Sequence, residues 1–264
     1  MRIQILGSGS RGNACIIRTT ESLFLLDNGF SGKELVRRLD AVQMDPRDIQ
    51  GILVSHDHAD HIRGVGVFAR RYHTPVFLNR LTFESTRRTF ANTAVEFFPT
   101  GQTVTIRDLQ VETFSLPHDA GDPVGFTFSQ VSPDNHSPGK KAGFITDLGQ
   151  VTPLIRQKLR DIQALIIESN HDEEMLMRGP YPWSLKQRLR GRTGHLSNFA
   201  AAGLISDVVR QTGITEVTLA HLSEQNNDPA LAAETVLEQV EQNCGTTIDV
   251  RIASQKEPID ELML

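Results

Sequence analysis

Short apolar segments recur along the 264-residue chain and are separated by segments with helical periodicity. The apolar segments predict strands at residues 2–7, 14–18, 22–27, 48–54, 75–78, 95–98, 103–106, 109–115, 124–130, 141–146, 164–168, 217–220 and 248–253. Apolar spacings of three and four predict helices at residues 31–39, 65–72, 82–90, 153–159, 199–210 and 228–243. This mixture predicts an α/β (α+β) chain forming one domain, residues 1–264, with residues 254–264 as a loose C-terminal tail.

Composition and charge restrict the classes of function open to the chain. Hydrophobic residues make up 39% of the sequence, which suits a globular interior, and no window is apolar enough to span a bilayer. The first residues lack the layout of a signal peptide, and two cysteines, Cys15 and Cys244, are too few for a disulfide framework. These features predict a cytoplasmic protein with no membrane partner, and they leave the oligomeric state open. The formal net charge of −5 means that a polyanion would need a local basic patch.

Metal-ligand residue types are concentrated just after the apolar run that ends at Val54. Five such residues occupy six consecutive positions: His56, Asp57, His58, Asp60 and His61. In an extended segment side chains alternate, so His56, His58 and Asp60 would leave the backbone on one side. His61 then requires a turn, which the glycines that follow permit. Imidazole with carboxylate is a ligand set for Zn²⁺, and Mn²⁺ or Fe²⁺ also fit, so the segment predicts a site serving two adjacent ions.

The run from residue 56 to residue 61 resembles the His-x-His-x-Asp-His signature of the metallo-β-lactamase-fold hydrolases, with every signature position filled. The resemblance implies a four-layer αββα sandwich that holds two divalent metal ions per chain, Zn²⁺ or Mn²⁺. By resemblance, the ligands of one ion are His56, His58 and His118. Those of the other ion are Asp60, His61 and His221, and Asp147 lies between the two ions. Read from the sequence alone, Asp147 ends an apolar strand and could instead cap the next turn.

Further segments narrow the resemblance to a nuclease branch. Glu168 and the segment Gly194-His195-Leu196-Ser197 resemble the glutamate and the histidine of ribonuclease Z and the β-CASP nucleases, where this pair works beside the metals. The interval from Asp147 to His221 is too short for an inserted β-CASP domain. Together with the Gly-Ser-Gly-Ser-x-Gly-Asn loop at residues 7–13, these segments resemble the YycJ/WalJ-like metallohydrolases. That branch is associated with exonucleolytic attack on DNA.

The leading hypothesis is a two-metal phosphodiesterase acting on nucleic acid, and the resemblance implies a 5′-to-3′ DNA exonuclease. Its catalytic residues would be Asp60, Glu168 and His195. Ser197 suits the N-cap of the helix that follows, so His195 would precede a helix N-terminus that favours an anion. The candidate substrate-binding residues are Lys186, Arg188, Arg192, Asn170, His171 and Ser8.

The sequence leaves two other functions open, and it also leaves open that the basic residues have no role in binding. A small-molecule thioester or lactone hydrolase of glyoxalase II type would use the same metal chemistry, but it would not require the pair of Glu168 and His195. A non-catalytic metal-binding regulatory protein would need no hydrolysis, although degenerate members usually lose ligands and none is lost here. The basic residues at 186–192 are also typical of a solvated helix face. The choice among DNA, RNA and a small molecule is open.

Overall fold

The computed structural model describes residues 1–131 and 139–264 and contains fourteen strands in that part of the chain. The strands, in chain order, are β1 (Arg2–Gly7), β2 (Ala14–Arg18), β3 (Leu23–Leu26), β4 (Gly51–Leu53), β5 (Val76–Leu78), β6 (Val95–Phe97), β7 (Thr103–Ile106), β8 (Leu109–Ser115), β9 (Val124–Gln130), β10 (Lys141–Ile145), β11 (Ala164–Glu168), β12 (Glu216–Ala220), β13 (Asp249–Ile252) and β14 (Leu262–Met263). They form two sheets of seven strands, in the orders β14-β1-β2-β3-β4-β5-β6 and β13-β12-β11-β10-β9-β8-β7.

Helices lie between the strands and pack on the outer sheet faces. The α-helices are α1 (Gly32–Ala41), α2 (Ala59–Ile62), α3 (Val65–Tyr72), α4 (Arg80–Thr86), α5 (Pro153–Lys158), α6 (Glu173–Arg178), α7 (Trp183–Leu189), α8 (Asn198–Thr212) and α9 (Pro229–Cys244), with a 3-10 helix at Pro46–Asp48. Hydrogen bonds to N-cap side chains explain where several helices begin. Ser31 accepts a hydrogen bond from the Glu34 N–H at α1, and Ser197 accepts one from the Ala200 N–H at α8. No helix within the described ranges combines the length and the apolarity needed to cross a bilayer.

The two sheets pack face to face, and each carries helices on its other face. Alternate residues of a strand face opposite sides of its sheet, so a fully apolar strand contributes side chains to two hydrophobic cores. In β2, Ile17 packs in the core between the sheets, whereas Ile16 packs with residues of α1 and α3. In β11, Ile166 faces the inter-sheet core and Ile167 packs with residues of α8 and α9. The predicted four-layer αββα sandwich of the α/β class is therefore confirmed.

Parallel pairing brings several strand ends to the same edge of the fold. In the first sheet β3, β4 and β5 are parallel neighbours, and in the second sheet β10, β11, β12 and β13 are. The carboxyl ends of parallel neighbours lie at one edge, and the loops leaving that edge are where open α/β sheets place their ligands. The polar residues that follow β3, β4, β10, β11 and β12 are therefore gathered by the sheet pairing itself.

The C-terminal residues are anchored, and the prediction of a loose tail at 254–264 is wrong. Leu262 pairs with Ile3 across the β14–β1 ladder and is 4% exposed in the inter-sheet core. The Ser8 N–H also donates to the Ser254 carbonyl, 3.0 Å away. Burial of the apolar Leu262 side chain against β1 stabilises this segment, and the polar residues before it gave no sign of that contact. The single-domain organisation of residues 1–264 stays a prediction.

Local caps and short helices account for the other differences from the predicted elements. The helix predicted at 82–90 begins earlier, at Arg80, because the Asn79 side chain accepts a hydrogen bond from the Thr82 N–H. No element was predicted at residues 173–192, where α6 and α7 are found. These helices are six and seven residues long, which is too short for apolar periodicity to be visible in the sequence.

Candidate metal centre

All seven side chains implied as metal ligands converge at the edge where the strands end. Ligand atoms of His56, His58 and His118 lie within 4.8 Å of one another. A second group within the same distance comprises Asp60, His61 and His221. Asp147 belongs to two further groups, one with His56 and His61 and one with Glu168, His195 and His221. The structure thus places the two triads side by side, with Asp147 in contact with members of both.

The backbone at three of these strand ends adopts the left-handed conformation, which is uncommon outside glycine. The φ angles are +57° at Asp27, +63° at Asp147 and +55° at His221. Each residue directly follows a strand or lies within two residues of its end, so the turn redirects the side chain out of the sheet pattern. Such conformations cluster at functional sites because surrounding contacts hold them there.

Asp60 and His61 do not belong to an extended segment, and the prediction that Asp60 leaves the backbone beside His56 and His58 by alternation is wrong. The chain turns into α2 at Ala59, and the His61 N–H donates to the His58 carbonyl at 3.0 Å. A helical turn rotates successive side chains by about 100°, so Asp60 and His61 both turn towards His221. One loop can therefore supply ligands to two different groups.

Two buried atoms of the cluster lack hydrogen bonds, which is the signature expected of atoms that bind a cation. Nε2 of His56, a residue 1% exposed, has no hydrogen-bond partner among the described residues. Oδ2 of Asp147 has none there either, although Nε2 of His61 lies 3.2 Å away. An unsatisfied buried polar atom is costly unless something outside the protein binds it. Imidazole and carboxylate donors without thiolate suit a divalent metal such as Zn²⁺, Mn²⁺ or Fe²⁺.

The second nitrogen of each of several histidines is held by a neighbouring acceptor, which fixes the orientation of the ring. Nδ1 of His61 donates to Asp27 at 2.8 Å, and Nδ1 of His118 donates to the Gly194 carbonyl at 3.0 Å. Asp27 is itself held by the N–H and the hydroxyl of Ser55, at 2.8 and 2.7 Å. These contacts leave Nε2 of both histidines directed into the cluster, as metal-binding histidines require.

Glu168 connects the metal-ligand groups to His195. Its side chain is fully buried, and Oε2 accepts hydrogen bonds from Nδ1 of His195 and Nδ1 of His221, both at 2.8 Å. The backbone N–H groups of Asp147 and Leu196 also donate to this carboxylate, at 3.1 and 2.8 Å. Burial opposes the charge, but His195 and these hydrogen bonds outweigh it and lower the pKa of Glu168 to about 2.

Excess negative charge at the cluster favours a cation. Burial disfavours a charged His221, but the charge of Asp147 and the hydrogen bonds to Asp60 and Glu168 outweigh burial and raise the pKa of His221 to about 10. Burial likewise opposes the charge on His61, and Asp147, Asp60 and Asp27 together raise its pKa well above the usual value. Histidines must lose these protons to bind a metal, so metal binding here is coupled to proton release.

His195 presents one nitrogen to the open side of the cluster. Because Nδ1 donates to Glu168, Nε2 is the nitrogen left over, and the side chain remains partly exposed. The His195 N–H donates to the Leu189 carbonyl at 2.8 Å, and a Cβ on Gly194 would collide with that same carbonyl. Burial opposes protonation, but the charge and hydrogen bond of Glu168 raise the pKa of His195 above its usual value. Glu168 therefore fixes the His195 ring and favours its protonated form.

Comparison with known proteins assigns this geometry to a family. Residues 23–222 match the family model described as the beta-lactamase superfamily domain. The chain belongs to the metallo-β-lactamase superfamily. It is 36% identical over 245 residues to exodeoxyribonuclease YycJ of Bacillus anthracis, an alignment that covers 92% of this chain and 90% of that protein. It is 33% identical over 258 residues to exodeoxyribonuclease WalJ of Streptococcus pneumoniae, covering 95% of this chain and 93% of that protein.

The same fold is found in solved structures of low sequence identity. Zn²⁺-bound PqqB from Methylobacterium extorquens has a TM-score of 0.70 and 16% identity, and the match covers 98% of this chain and 100% of that one. The likeness shows the shared metallo-β-lactamase fold. Together, the family membership, the exodeoxyribonuclease relatives and the His/Asp ligand groups identify the chain as a metal-dependent hydrolase.

In this metallo-β-lactamase-superfamily chain the ligand groups open into a cavity of about 170 Å³. Its lining is Ser10, His58, Asp60, Asp119, Asp147, Arg188, Leu189, Gly194, His195 and His221. A larger surface cleft of about 530 Å³ near residues 257–261 contains none of the ligand groups, so we assign the chemistry to the smaller cavity. At its mouth Arg188 is exposed, and its Nε donates to Asp119 at 2.6 Å.

Of the basic residues proposed to bind substrate, the structure places Arg188 and Arg192 on the surface and Lys186 inside. Arg188 lines the cavity, and Arg192 is exposed. Lys186 is buried, and its ammonium donates to the Met177 carbonyl at 2.7 Å, which ties α7 to α6. The prediction that Lys186 contacts substrate is therefore corrected: alternation of charge in a sequence cannot show which lysine bends inward to satisfy a helix carbonyl.

The other three substrate-binding candidates are interior residues. Ser8 accepts a hydrogen bond from the His221 N–H at 2.9 Å, and the Asn170 side chain donates to the His221 carbonyl at 2.9 Å. Both residues thus hold the strained backbone of His221. His171 is buried, and burial lowers its pKa to about 4. For Ser8 and Asn170 the predicted contact with substrate is corrected to support of the site, because their side chains turn inward to the backbone of His221. The role of His171 in binding substrate stays a prediction.

Three residues of the site were not predicted from the sequence. Asp27 holds His61, and Asn13 lies 3.0 Å from Nε2 of His61 through its side-chain nitrogen. Asp119 lies 3.5 Å from Nε2 of His118 and bonds Arg188. For Asp27 a signal was present, because it follows an apolar strand just as His56 and Asp147 do. Asp119 is the immediate neighbour of His118 and could have been found by that proximity.

Proposed function

We propose that this chain is a two-metal phosphodiesterase that degrades DNA from an end, in the 5′-to-3′ direction. The observation that carries the proposal is the pair of Glu168 and His195, bonded at 2.8 Å beside the ligand groups. A thioester or lactone hydrolase has no need for this second proton-transfer pair. The names of the two relatives, exodeoxyribonuclease YycJ and exodeoxyribonuclease WalJ, support DNA as the substrate. The direction of digestion rests on the resemblance alone.

Two ions are proposed because the ligand groups divide into two triads. His56, His58 and His118 would hold one divalent ion and Asp60, His61 and His221 the other, with Asp147 shared. Bound there, such ions supply an acidified water as nucleophile and positive charge at the scissile phosphate. Asp60 acts as a ligand and is thus unavailable for proton transfer to the departing group.

The residues around the metals would orient the phosphodiester and supply a proton. Arg188, anchored by Asp119 at the mouth of the cavity, is placed to bind a phosphate of the strand. His195 would donate the proton of Nε2 to the departing alkoxide, which is a poor leaving group without it. Glu168 would hold the ring of His195 in place and keep it protonated until the transfer.

The proposal is tested by offering three substrates to one metal-loaded preparation. These are bis(p-nitrophenyl) phosphate, S-lactoylglutathione, and DNA labelled separately at its 5′ and 3′ ends. We expect hydrolysis of the diester and of DNA, early release of the 5′ label, and loss of both activities after treatment with a chelator. Rapid hydrolysis of S-lactoylglutathione with no attack on DNA would instead establish the small-molecule hydrolase.

Removing a surface arginine near the cavity should weaken DNA binding. Arg192→Ala removes an exposed guanidinium for which the described residues contain no ion-pair partner. If Arg192 neutralises one phosphate, the slope of log affinity against log salt should become shallower by about one. The measurement is a titration of labelled DNA at several salt concentrations.

Arg210→Ala, which removes an exposed arginine paired with Asp207 far from the cavity, is the control for that titration. Arg210 is also exposed, but it lies twelve residues along α8 from Asn198, about 18 Å from the site end of the helix. Its removal should leave the slope unchanged. A slope that is equally unaffected in Arg192→Ala would make the basic segment a solvated face with no part in binding.

A further inference from the structure

One segment of the chain carries positive charge, whereas the protein as a whole is negatively charged. Residues 175–206 contain no aspartate or glutamate, in a protein whose formal net charge is −5. The same segment contains five basic residues, Arg178, Lys186, Arg188, Arg190 and Arg192. Lys186 is buried, and Arg178 and Arg188 form ion pairs with Glu174 and Asp119. Arg190 and Arg192 are exposed and have no ion-pair partner among the described residues, so they supply uncompensated positive charge. This surface suits a polyanion.

The same segment exposes two large aromatic side chains. Trp183, the only tryptophan in the chain, is 57% exposed at the first position of α7. Phe199 is 67% exposed in the first turn of α8, four residues after His195. Exposed aromatic rings amid positive charge are the combination with which proteins hold single-stranded nucleic acid, because the rings stack on bases while the cations bind phosphates.

α7 is fixed to the cavity at its C-terminal end. Arg188 bonds Asp119, Leu189 lines the cavity, and the Leu189 carbonyl accepts from the His195 N–H. Within α7 the exposed side chains are Trp183, Ser184, Gln187 and Arg188, which form one continuous face. Trp183 is five residues from Arg188, or about 7.5 Å along the helix axis. The ring is therefore held near the cavity, at a distance comparable to the spacing of successive nucleotides in an extended strand.

We propose that Trp183 stacks on a base of single-stranded nucleic acid whose phosphate backbone passes Arg188 into the cavity. The bases of a duplex are already paired and stacked on one another. Trp183 can therefore stack only on a base of a strand that is single-stranded at this position. The inference rests on the proposed phosphodiesterase function and specifies how the substrate is held. The exposed aromatic rings beside the positive charge favour a nucleic acid over an acidic protein, because they can stack on its bases.

Because Trp183 is the only tryptophan in the chain, its fluorescence tests the proposal directly. The full-length protein is titrated with a phosphorothioate oligothymidylate, which resists cleavage, while the indole emission is recorded. A second strand of the same length and linkage lacks all bases. We expect the first strand to quench the emission of Trp183, and we expect the abasic strand to bind more weakly and leave the emission unchanged.

Substitution of Trp183 then distinguishes stacking on a base from binding of the phosphate backbone. Trp183→Ala should weaken binding of oligothymidylate by roughly tenfold to a hundredfold and leave the affinity for the abasic strand unchanged. Trp183→Phe should retain part of the difference, because phenylalanine still offers an aromatic face. Leu237→Ala, which truncates an exposed apolar side chain on α9, should change neither affinity. Circular dichroism and thermal unfolding of each variant establish that the fold is retained.

Four results would overturn the proposal. Equal quenching by the abasic strand would mean that the indole responds to phosphate binding, and equal loss of affinity for both strands in Trp183→Ala would mean the same. DNA that is bound and cleaved with no change in Trp183 emission would leave the phosphodiesterase function standing and remove the stacking platform. Wild-type protein that neither binds nor cleaves any nucleic acid would overturn both.

Discussion

Asp147→Ala is expected to cause a greater loss of bound metal and of hydrolysis than alanine at any single histidine of the cluster. Asp147 contacts ligand atoms of both triads, so its removal takes a ligand from each of the two proposed ions together with their shared negative charge. Loss of a residue that only orients a ligand already costs roughly 10- to 100-fold in affinity or activity, and we expect a larger loss here. Metal content by elemental analysis and hydrolysis of bis(p-nitrophenyl) phosphate measure the effect.

Two further variants make this result interpretable. Asp147 has a φ of +63°, so alanine at this position adds backbone strain to the loss of the ligand. Asp147→Asn keeps the shape and tolerates the left-handed conformation, and it should still lose metal because it removes the charge. His58→Ala, which removes a ligand from one triad only, should retain more metal than either Asp147 variant. Full occupancy by two ions in Asp147→Ala would rule out the bridging role.

His195→Ala is expected to slow the cleavage of DNA by on the order of 10²–10⁴ while affecting a p-nitrophenyl diester far less. The physical reason is the leaving group. A nucleotide alkoxide needs a proton as it departs, whereas p-nitrophenolate is stable without one. The structure supports this role because Glu168 holds Nδ1 at 2.8 Å and leaves Nε2 free at the cavity.

A glutamine variant distinguishes proton donation from support of the site. Glu168 also holds His221, so His195→Ala could disturb a metal ligand through the shared carboxylate. His195→Gln can still donate a hydrogen bond to Glu168, but its amide cannot deliver a proton to a leaving group. Both variants should keep the metal content of the wild type and show the same dependence on leaving group. Equal losses on the two substrates, or loss of metal, would falsify the role of His195 as an acid.

The sequence by itself determined most of the strands and helices and the cluster of metal-ligand residue types at residues 56–61. Fully apolar strands such as β11 require cover on both faces, and the helical segments between them supply it, which is consistent with the αββα order that the resemblance implied. The signature at residues 56–61 could be recognised because it is local, and the resemblance that it carries implied the other ligands. The Glu168–His195 pair, whose members are 27 residues apart, was likewise implied by resemblance.

Only the tertiary structure decided which polar side chains face the cavity and which face the interior. Lys186 and Asn170 are as polar as Arg188, yet their partners come from other segments: the Met177 carbonyl for Lys186, and the His221 carbonyl for Asn170. The same is true of Asp27, whose role follows from a partner 34 residues away. Local periodicity reports the secondary structure of a segment. It carries no information about hydrogen bonds that form only when distant strand ends meet. For this reason the ligands could be predicted from the sequence, whereas the residues that hold them in place could not.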